Sequence, residues 1–468
     1  TAGGVIRGAA LAAAAFVGLR LLPAPAGLTA DAWLVAAVAV AMAILWVSEA
    51  IPIAATATLP FILLPLFGRA DPAAVAASYW SPILFLVLGG AMVARAIERA
   101  GLHKRIALML AARTKSTERG LLLGFMAATA ITSMIVSNTA TALIMLPVAL
   151  ALLSALEAAR GTANEAGFGK ALVLGVAWAA TIGGLGTLVG SPTNAVAAGI
   201  LNRALGTDIG FLLWLGFGLP VVAVAIPLAA LLLVLLHQVP AAPVDAAVVE
   251  AAIGRPGPMT VAERRLLPVL LFLLAGWVLL PLLRGPLELP DVEDATVAMV
   301  AALVLLVVPD GAGGRLLAAE DLPRLPWEVL LLFGGGLALA AAVTDTGLAG
   351  WIGTRLDGLA ALHPLLLAML LVALMVLVTE FASNVATASG FMPVVAAVAA
   401  GGAAPPLALA MAAALASSWG FMMPAGTPPN ALAFASGRIR VVDMVRGGLV
   451  LNLLGVGLLP VLAFLVAR

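Results

Sequence analysis

The sequence predicts an all-α polytopic membrane protein of about eleven transmembrane helices plus two re-entrant hairpins, arranged as an inverted-topology repeat. Three observations carry that prediction. The 468 residues are 63% hydrophobic and 10% charged, with a mean hydropathy of +1.17, far outside the range of a water-soluble domain. A polar motif is written twice inside apolar sequence, Ser137-Asn138-Thr139 and Ser383-Asn384-Val385, 246 residues apart, each with a proline (Pro147, Pro393) ten residues after its serine. Helix-breaking segments follow each motif, Gly190-Ser191-Pro192-Thr193-Asn194 and Gly426-Thr427-Pro428-Pro429-Asn430, at an offset of 236.

A membrane-spanning helix needs roughly 20 mostly apolar residues. Such stretches fall near 5–22, 32–48, 53–68, 82–97, 140–156, 171–189, 209–236, 266–283, 294–309, 327–343 and 441–467. Four more, near 121–136, 364–378, 385–400 and 405–435, are interrupted by Gly, Pro or polar residues. Residues 1–30 read as a retained first transmembrane helix and residues 31–236 as the first repeat, with a hairpin at Ser137-Asn138-Thr139 and a broken helix at 190–194. Residues 237–265, carrying Asp245, Glu250, Arg255, Glu263, Arg264 and Arg265, read as a cytoplasmic linker, and 266–468 as the second repeat. The duplication extends to Trp80 with Gly89-Gly90 and Trp327 with Gly334-Gly335-Gly336. The two tryptophans are most simply interface anchors.

Orientation comes from the loops. Residues 95–119 carry seven basic residues (Arg95, Arg99, Lys104, Arg105, Arg113, Lys115, Arg119) against Glu98 and Glu118, a net +5, which the positive-inside rule assigns to the cytoplasm. Their counterpart, 341–363, has Arg355 against Asp345 and Asp357, a net −1. Equivalent loops on opposite sides imply inversion. Four helices before the basic loop then give a cytoplasmic N-terminus in a multi-pass inner (plasma) membrane protein. The basic segment itself reads as an arm to the hairpin or as a surface helix for anionic lipid.

Composition also excludes chemistry. The chain has no cysteine and only His103, His237 and His363, so disulfides, thiolate metal sites and a histidine metal centre are not expected. Neither motif has a nearby histidine or a pair of acids, so an intramembrane enzyme lacks its nucleophile, base or metal. The net charge is +1, and no nucleic-acid partner is expected; the lipid bilayer is.

Between Gly120 and Leu156 no residue is charged, and between Pro364 and Gly437 only Glu380 is. Polar side chains nevertheless cluster there: Thr129, Thr132, Ser133, Ser137, Asn138, Thr139 and Thr141 in one half, Thr379, Ser383, Asn384, Thr387 and Ser389 in the other. In hydrocarbon they would go unsatisfied, so they face protein or a water-filled cavity. A hairpin turning at Ser-Asn-Thr presents a helix N-terminus, which favours an anion. Breaks at Gly190-Ser191-Pro192 and Gly426-Thr427-Pro428 free carbonyls that suit a bare Na⁺. A cation beside an anion supplies the positive partner that no Lys or Arg provides there. Glu380 is either a functional carboxylate or a residue at the wet mouth of its hairpin. Glu49 is either interfacial or a helix-end residue.

The pattern resembles the divalent anion:sodium symporter family, over essentially the whole chain. The most specific stretch is Ser417-Ser418-Trp419-Gly420-Phe421-Met422-Met423-Pro424-Ala425-Gly426-Thr427-Pro428-Pro429-Asn430, which looks like the family's sodium-symporter signature. The resemblance implies a homodimer, each protomer having a fixed scaffold and a transport domain that moves as an elevator. It implies two Na⁺ sites, one at Ser133, Ser137, Asn138 and Gly190, the other at Thr379, Ser383, Asn384 and Gly426. Anion contacts would come from Asn138, Thr139, Asn384, Val385, Thr427 and Pro428. Val385 stands where the symmetric motif would have threonine, which leaves the anion open. The function expected is Na⁺-coupled uptake of a divalent anion, foremost a C4-dicarboxylate such as succinate, malate or fumarate. The alternatives are a Na⁺-independent dicarboxylate exchanger and a sulfate or citrate carrier.

Overall fold

The computed structural model describes residues 2–67, 70–111, 117–160, 166–254, 257–284, 286–288, 292–355, 362–402 and 405–467. Arg113, Lys115, Arg255 and Asp357, used above to weigh loop charge, lie outside the described residues. The helices in order are α1 Ala2–Leu21, α2 Ala30–Ser48, α3 Ile53–Thr56, α4 Leu59–Leu66, α5 Pro72–Ser78, α6 Pro82–Ala100, α7 Leu102–Ala111, α8 Glu118–Ser133, α9 Asn138–Arg160, α10 Ala166–Gly184 and α11 Pro192–Leu205. They continue with α12 Phe211–Leu236, α13 Ala246–Ile253, α14 Val261–Leu283, α15 Asp294–Val307, a 3₁₀ turn Ala319–Arg324, α16 Trp327–Asp345 and α17 Leu348–Arg355. The last five are α18 Pro364–Thr379, α19 Asn384–Ala400, α20 Pro406–Ala416, α21 Pro428–Ala435 and α22 Val441–Val466.

The starts are written locally. Asp71-Pro72, Ser191-Pro192, His363-Pro364 and Thr427-Pro428 each put an accepting cap side chain before a first-turn proline, where the missing N–H is no loss. Thr260 and Glu263 close a reciprocal capping box at the start of α14. Glu49 ends α2 in the left-handed conformation and is exposed, the helix-end reading of that residue.

Among the described residues, eight helices are long and apolar enough to cross a membrane. One of them spans Asn138–Ala159, yet it starts at an internal turn and is the second arm of a hairpin with α8. The stretch 140–156 is therefore no crossing of its own. The segment 405–435 replaces it, because α20 and α21 are two halves of one broken helix, as are α10 and α11. Counted so, with α3–α4 as another broken helix, eleven rods and two hairpins (α8–α9, α18–α19) result. Length and hydropathy cannot separate these cases, since this hairpin arm has the length and hydropathy of a span.

Equivalent ends of the two halves lie at opposite ends of the molecule. At one end, Lys170 at the start of α10 bonds Asp443 at the start of α22 at 3.0 Å, and Arg438 before α22 bonds Glu157 near the end of α9. The end of α12 is there too, since a Cβ on Gly167 would meet the His237 carbonyl at 2.5 Å. At the other end, Leu367 of α18, Val398 of α19 and Leu409 of α20 pack with Leu205, which ends α11, and Phe464, near the end of α22. So α12 finishes where α22 begins.

The basic segment is folded against the linker. Arg105 Nε bonds Glu263 at 2.7 Å, Arg119 Nε bonds the Val239 carbonyl at 2.8 Å, and the Glu118 N–H donates to the Ala242 carbonyl. Arg95 and Arg99 share Asp321 before α16 at 3.1 and 2.8 Å. The matched glycines serve packing in both halves. A Cβ on Gly89 would lie 2.8 Å from Ala298 of α15, and one on Gly335 would lie 2.1 Å from the Ala57 carbonyl. Small residues here let helix backbones touch, as membrane packing requires. Trp80 and Trp327 are 62% and 42% exposed, fitting interface anchors.

Candidate functional site

Each hairpin turn is fastened to the neighbouring broken helix by a hydroxyl one turn upstream. In the first half, Ser133 Oγ lies 2.6 Å from the Ala180 carbonyl and 2.9 Å from Asn138 Oδ1. In the second, Thr379 Oγ1 lies 2.6 Å from the Ser417 carbonyl and 2.7 Å from Asn384 Oδ1. A hydroxyl has one proton. With the asparagine oxygen turned inward, each cluster sets one donor against two acceptors, leaving an oxygen-rich spot one hydrogen-bond donor short.

The Asn138 amide shows how the first cluster is balanced without an ion. Turned with its nitrogen inward, it donates to Ser133 Oγ at 2.9 Å and to the carbonyls of Ala180 and Gly190 at 3.2 Å each. Turned with its oxygen inward, it adds a further acceptor to those carbonyls. Such amide orientations are assigned from the bonding network. Gly184 makes room for this side chain, since a Cβ there would lie 2.1 Å from Asn138 Oδ1.

The breaks are stapled alike. Asn194 Nδ2 donates to the Gly184 and Thr187 carbonyls at 2.7 and 2.8 Å, and Asn430 Nδ2 to the Gly420 and Met423 carbonyls at 3.3 and 3.1 Å. Both asparagines are fully buried, and among the described residues both Oδ1 atoms lack a hydrogen-bond partner. Ser191 and Thr427 cap α11 and α21. Ser137 and Ser383 cap α9 and α19 through the amides of Ala140 and Ala386, at 3.3 and 3.4 Å. Four helix N-termini thus begin at the hairpin turns and breaks, and α11 packs along α19 while α21 packs along α9. Partial positive charge gathers at these ends.

Of the sequence-predicted residues, the structure joins Ser133, Asn138 and Gly190 in one cluster and Thr379 with Asn384 in the other. Gly426 lies beside the second cluster's Glu380, a built Cβ being 3.5 Å from Glu380 Oε2. Ser137, Ser383 and Thr427 use their hydroxyls as caps, and Pro428 opens α21. Thr139 is half-buried with no side-chain bond among the described residues. Val385 packs against the two large hydrophobic clusters at once. The carbonyls of Ala180 and Ser417 escape sequence reasoning, because any residue type supplies a carbonyl. Asn452 of α22, which donates to Glu380 at 2.5 Å, also escaped it, although a lone asparagine in an apolar 26-residue helix was a usable signal. Glu380 is 2% exposed, not at a wet hairpin mouth.

Paired hairpins and broken helices with oxygen clusters at their turns, in a multi-pass apolar helical chain, define a membrane transport protein and not an enzyme. Residues 6–466 match the family model described as the sodium:sulfate symporter transmembrane region, and the chain belongs to that family, the divalent anion:sodium symporters. It is 37% identical over 454 residues to the sodium-dependent dicarboxylate transporter SdcS of Staphylococcus saprophyticus, covering 94% of this chain and 87% of that one. It is 36% identical over 420 residues to the SdcS protein of Staphylococcus aureus, covering 87% and 81%. Among solved structures, the YdaH transporter of Alcanivorax borkumensis matches 86% of this chain and 88% of its own with a TM-score of 0.53 at 16% identity, a likeness of fold.

Proposed function

We propose that the chain is a secondary active carrier of the plasma membrane that couples Na⁺ entry to uptake of a C4-dicarboxylate such as succinate, malate or fumarate. The observation that carries the sodium assignment is the donor deficit at Thr379, where one hydroxyl proton faces the Ser417 carbonyl and Asn384 Oδ1; Ser133 shares it when the Asn138 amide turns its oxygen inward. Na⁺ is a hard cation that oxygen ligands satisfy, so an ion fits each cluster when its asparagine turns its oxygen inward. The names of the SdcS relatives support a dicarboxylate. The helix N-termini of α9, α11, α19 and α21, with Asn138, Thr139, Asn384 and Thr427, would hold it between the cations. The oppositely directed halves support an inverted repeat and the basic loop 95–119 a cytoplasmic N-terminus, while a moving transport domain in a homodimer is what the family resemblance implies.

One observation favours a second reading. With its nitrogen inward, the Asn138 amide satisfies the Ala180 and Gly190 carbonyls unaided, as a Na⁺-independent exchanger would need. Radiolabelled succinate uptake into proteoliposomes separates the two. Uptake that requires an inward Na⁺ gradient and fails with K⁺ supports the symporter. Uptake that ignores Na⁺ and requires succinate inside the vesicles overturns it in favour of the exchanger.

A further inference from the structure

We infer that Glu380 is a positioning residue for the second cation site, shaping the break between α20 and α21 so that its carbonyls and Gly426 face the ion. The inference rests on the proposed Na⁺ coupling and goes beyond it by making the two cation sites unequal.

Glu380 ends α18 directly after Thr379 and is buried. Its Oε1 accepts from the Phe421 and Met422 amides at 2.7 and 2.9 Å, and its Oε2 from Met422 and Met423 at 3.1 and 3.0 Å. Asn452 Nδ2, from α22, donates to Oε1 at 2.5 Å. Every one of these partners is a donor and a carboxylate only accepts, so the pocket complements its charge, and charge-assisted bonds of this kind are the strong ones. The three amides belong to consecutive residues of the break, where no helical carbonyl is available to them. Thr379 meanwhile holds the Ser417 carbonyl. Two adjacent residues therefore grip both sides of the break, carbonyls by the hydroxyl and amides by the carboxylate. The carboxylate also places a negative charge beside Gly426, where a cation would bind.

The first half has no counterpart. Met134 stands at the equivalent position, and only its backbone carbonyl takes part, accepting from Thr187 Oγ1 at 2.6 Å. Loss of Glu380 should therefore damage one cation site and spare the other.

The test titrates Na⁺ against initial succinate uptake, and in parallel against the thermal unfolding midpoint of purified protein, for wild type, E380Q, E380D and N452A. E380Q is expected to raise the Na⁺ half-saturation about 10-fold or more and to flatten the Na⁺ dependence, with uptake recovering as Na⁺ is raised. The same shift is expected in Na⁺-dependent thermal protection. E380D should recover part of it, and N452A, which removes one donor, should show a shift of about 3-fold. A lower maximal rate with unchanged Na⁺ half-saturation overturns the inference, because that is what a merely structural residue produces. If E380Q does not fold, unchanged Na⁺ dependence in both E380D and N452A overturns it instead. Wild-type protein that responds to Na⁺ in neither assay overturns the coupling reading together with this one, whereas a Na⁺-responsive wild type matched by its variants overturns this one alone.

Discussion

The two hairpin clusters share their inner ring and differ in what stands behind it. Ser133 and Thr379 take the same position, Asn138 and Asn384 present the same amide, and Asn194 and Asn430 staple the two breaks through the same pair of carbonyls. Behind the second ring sits a buried carboxylate that accepts five hydrogen bonds, and behind the first a methionine. The room around the ring differs as well, since Gly184 is packed against Asn138 while a Cβ on Gly420, its equivalent, would lie 3.2 Å from Thr379 Cγ2. The halves thus agree in the atoms that would meet the ligands and differ in the parts that hold those atoms still.

Removing what the halves share should have the largest effect. Asn138→Ala and Asn384→Ala each delete an amide placed at both the proposed cation cluster and a helix N-terminus. A bond to a charged group contributes about 1.5–3 kcal/mol, and losing two amounts to a drop of roughly 10²–10⁴ in uptake at limiting substrate. Both variants should still elute as folded protein, because the hydrogen bonds of Asn138 and Asn384 lie at half-buried turns. Normal transport by either variant would sink the site assignment.

Adding one methyl group to each half should break the symmetry. In Gly184→Ala the new Cβ would sit 2.1 Å from Asn138 Oδ1, whereas in Gly420→Ala its closest neighbours, Thr379 Cγ2 and the Thr379 carbonyl, are 3.2 and 3.4 Å away. Overpacking costs typically about 1–3 kcal/mol, so Gly184→Ala should lower apparent Na⁺ affinity about 5–100-fold as the amide is pushed aside. Gly420→Ala should change it by less than about 3-fold. Sodium titrations of uptake on the two variants make the comparison, and equal effects would mean that the difference in packing has no bearing on the ions.

Much of this arrangement could be read from the chain before its structure. The doubled motif located both hairpins, and the proline-containing breaks located both half-helix starts, because polar residues and prolines are rare enough inside apolar sequence to be conspicuous. What stayed hidden has physical reasons. Ala180 and Ser417 contribute backbone carbonyls, which no side chain announces. The arm Asn138–Arg160 looks like a span because a long apolar hairpin arm, less than half buried, has a span's length and hydropathy. The setting of Glu380 depends on α22, 72 residues further along the chain, and sequence alone left it divided between a working carboxylate and a solvated one.

The smallest effect, and the one that bears on the substrate, concerns the position where the doubled motif itself differs. Thr139 is half-buried on the first turn of α9, and Val385 is its equivalent on α19, wedged between two hydrophobic clusters. Val385→Thr restores the hydroxyl and so would complete the symmetric set of donors proposed to face the anion. The exchange is not isosteric in chemistry, since a methyl gives way to a polar group, and without that methyl packed between the clusters stability should fall by about 1 kcal/mol. Against that, one new bond to a charged carboxylate contributes about 1.5–3 kcal/mol. Affinity for succinate relative to sulfate should therefore rise about tenfold or more, read as inhibition of labelled succinate uptake by unlabelled succinate, citrate and sulfate. An unchanged ranking of the three anions would show that the second hairpin's first turn does not touch the second carboxylate, and that selectivity is set from the Thr139 side alone.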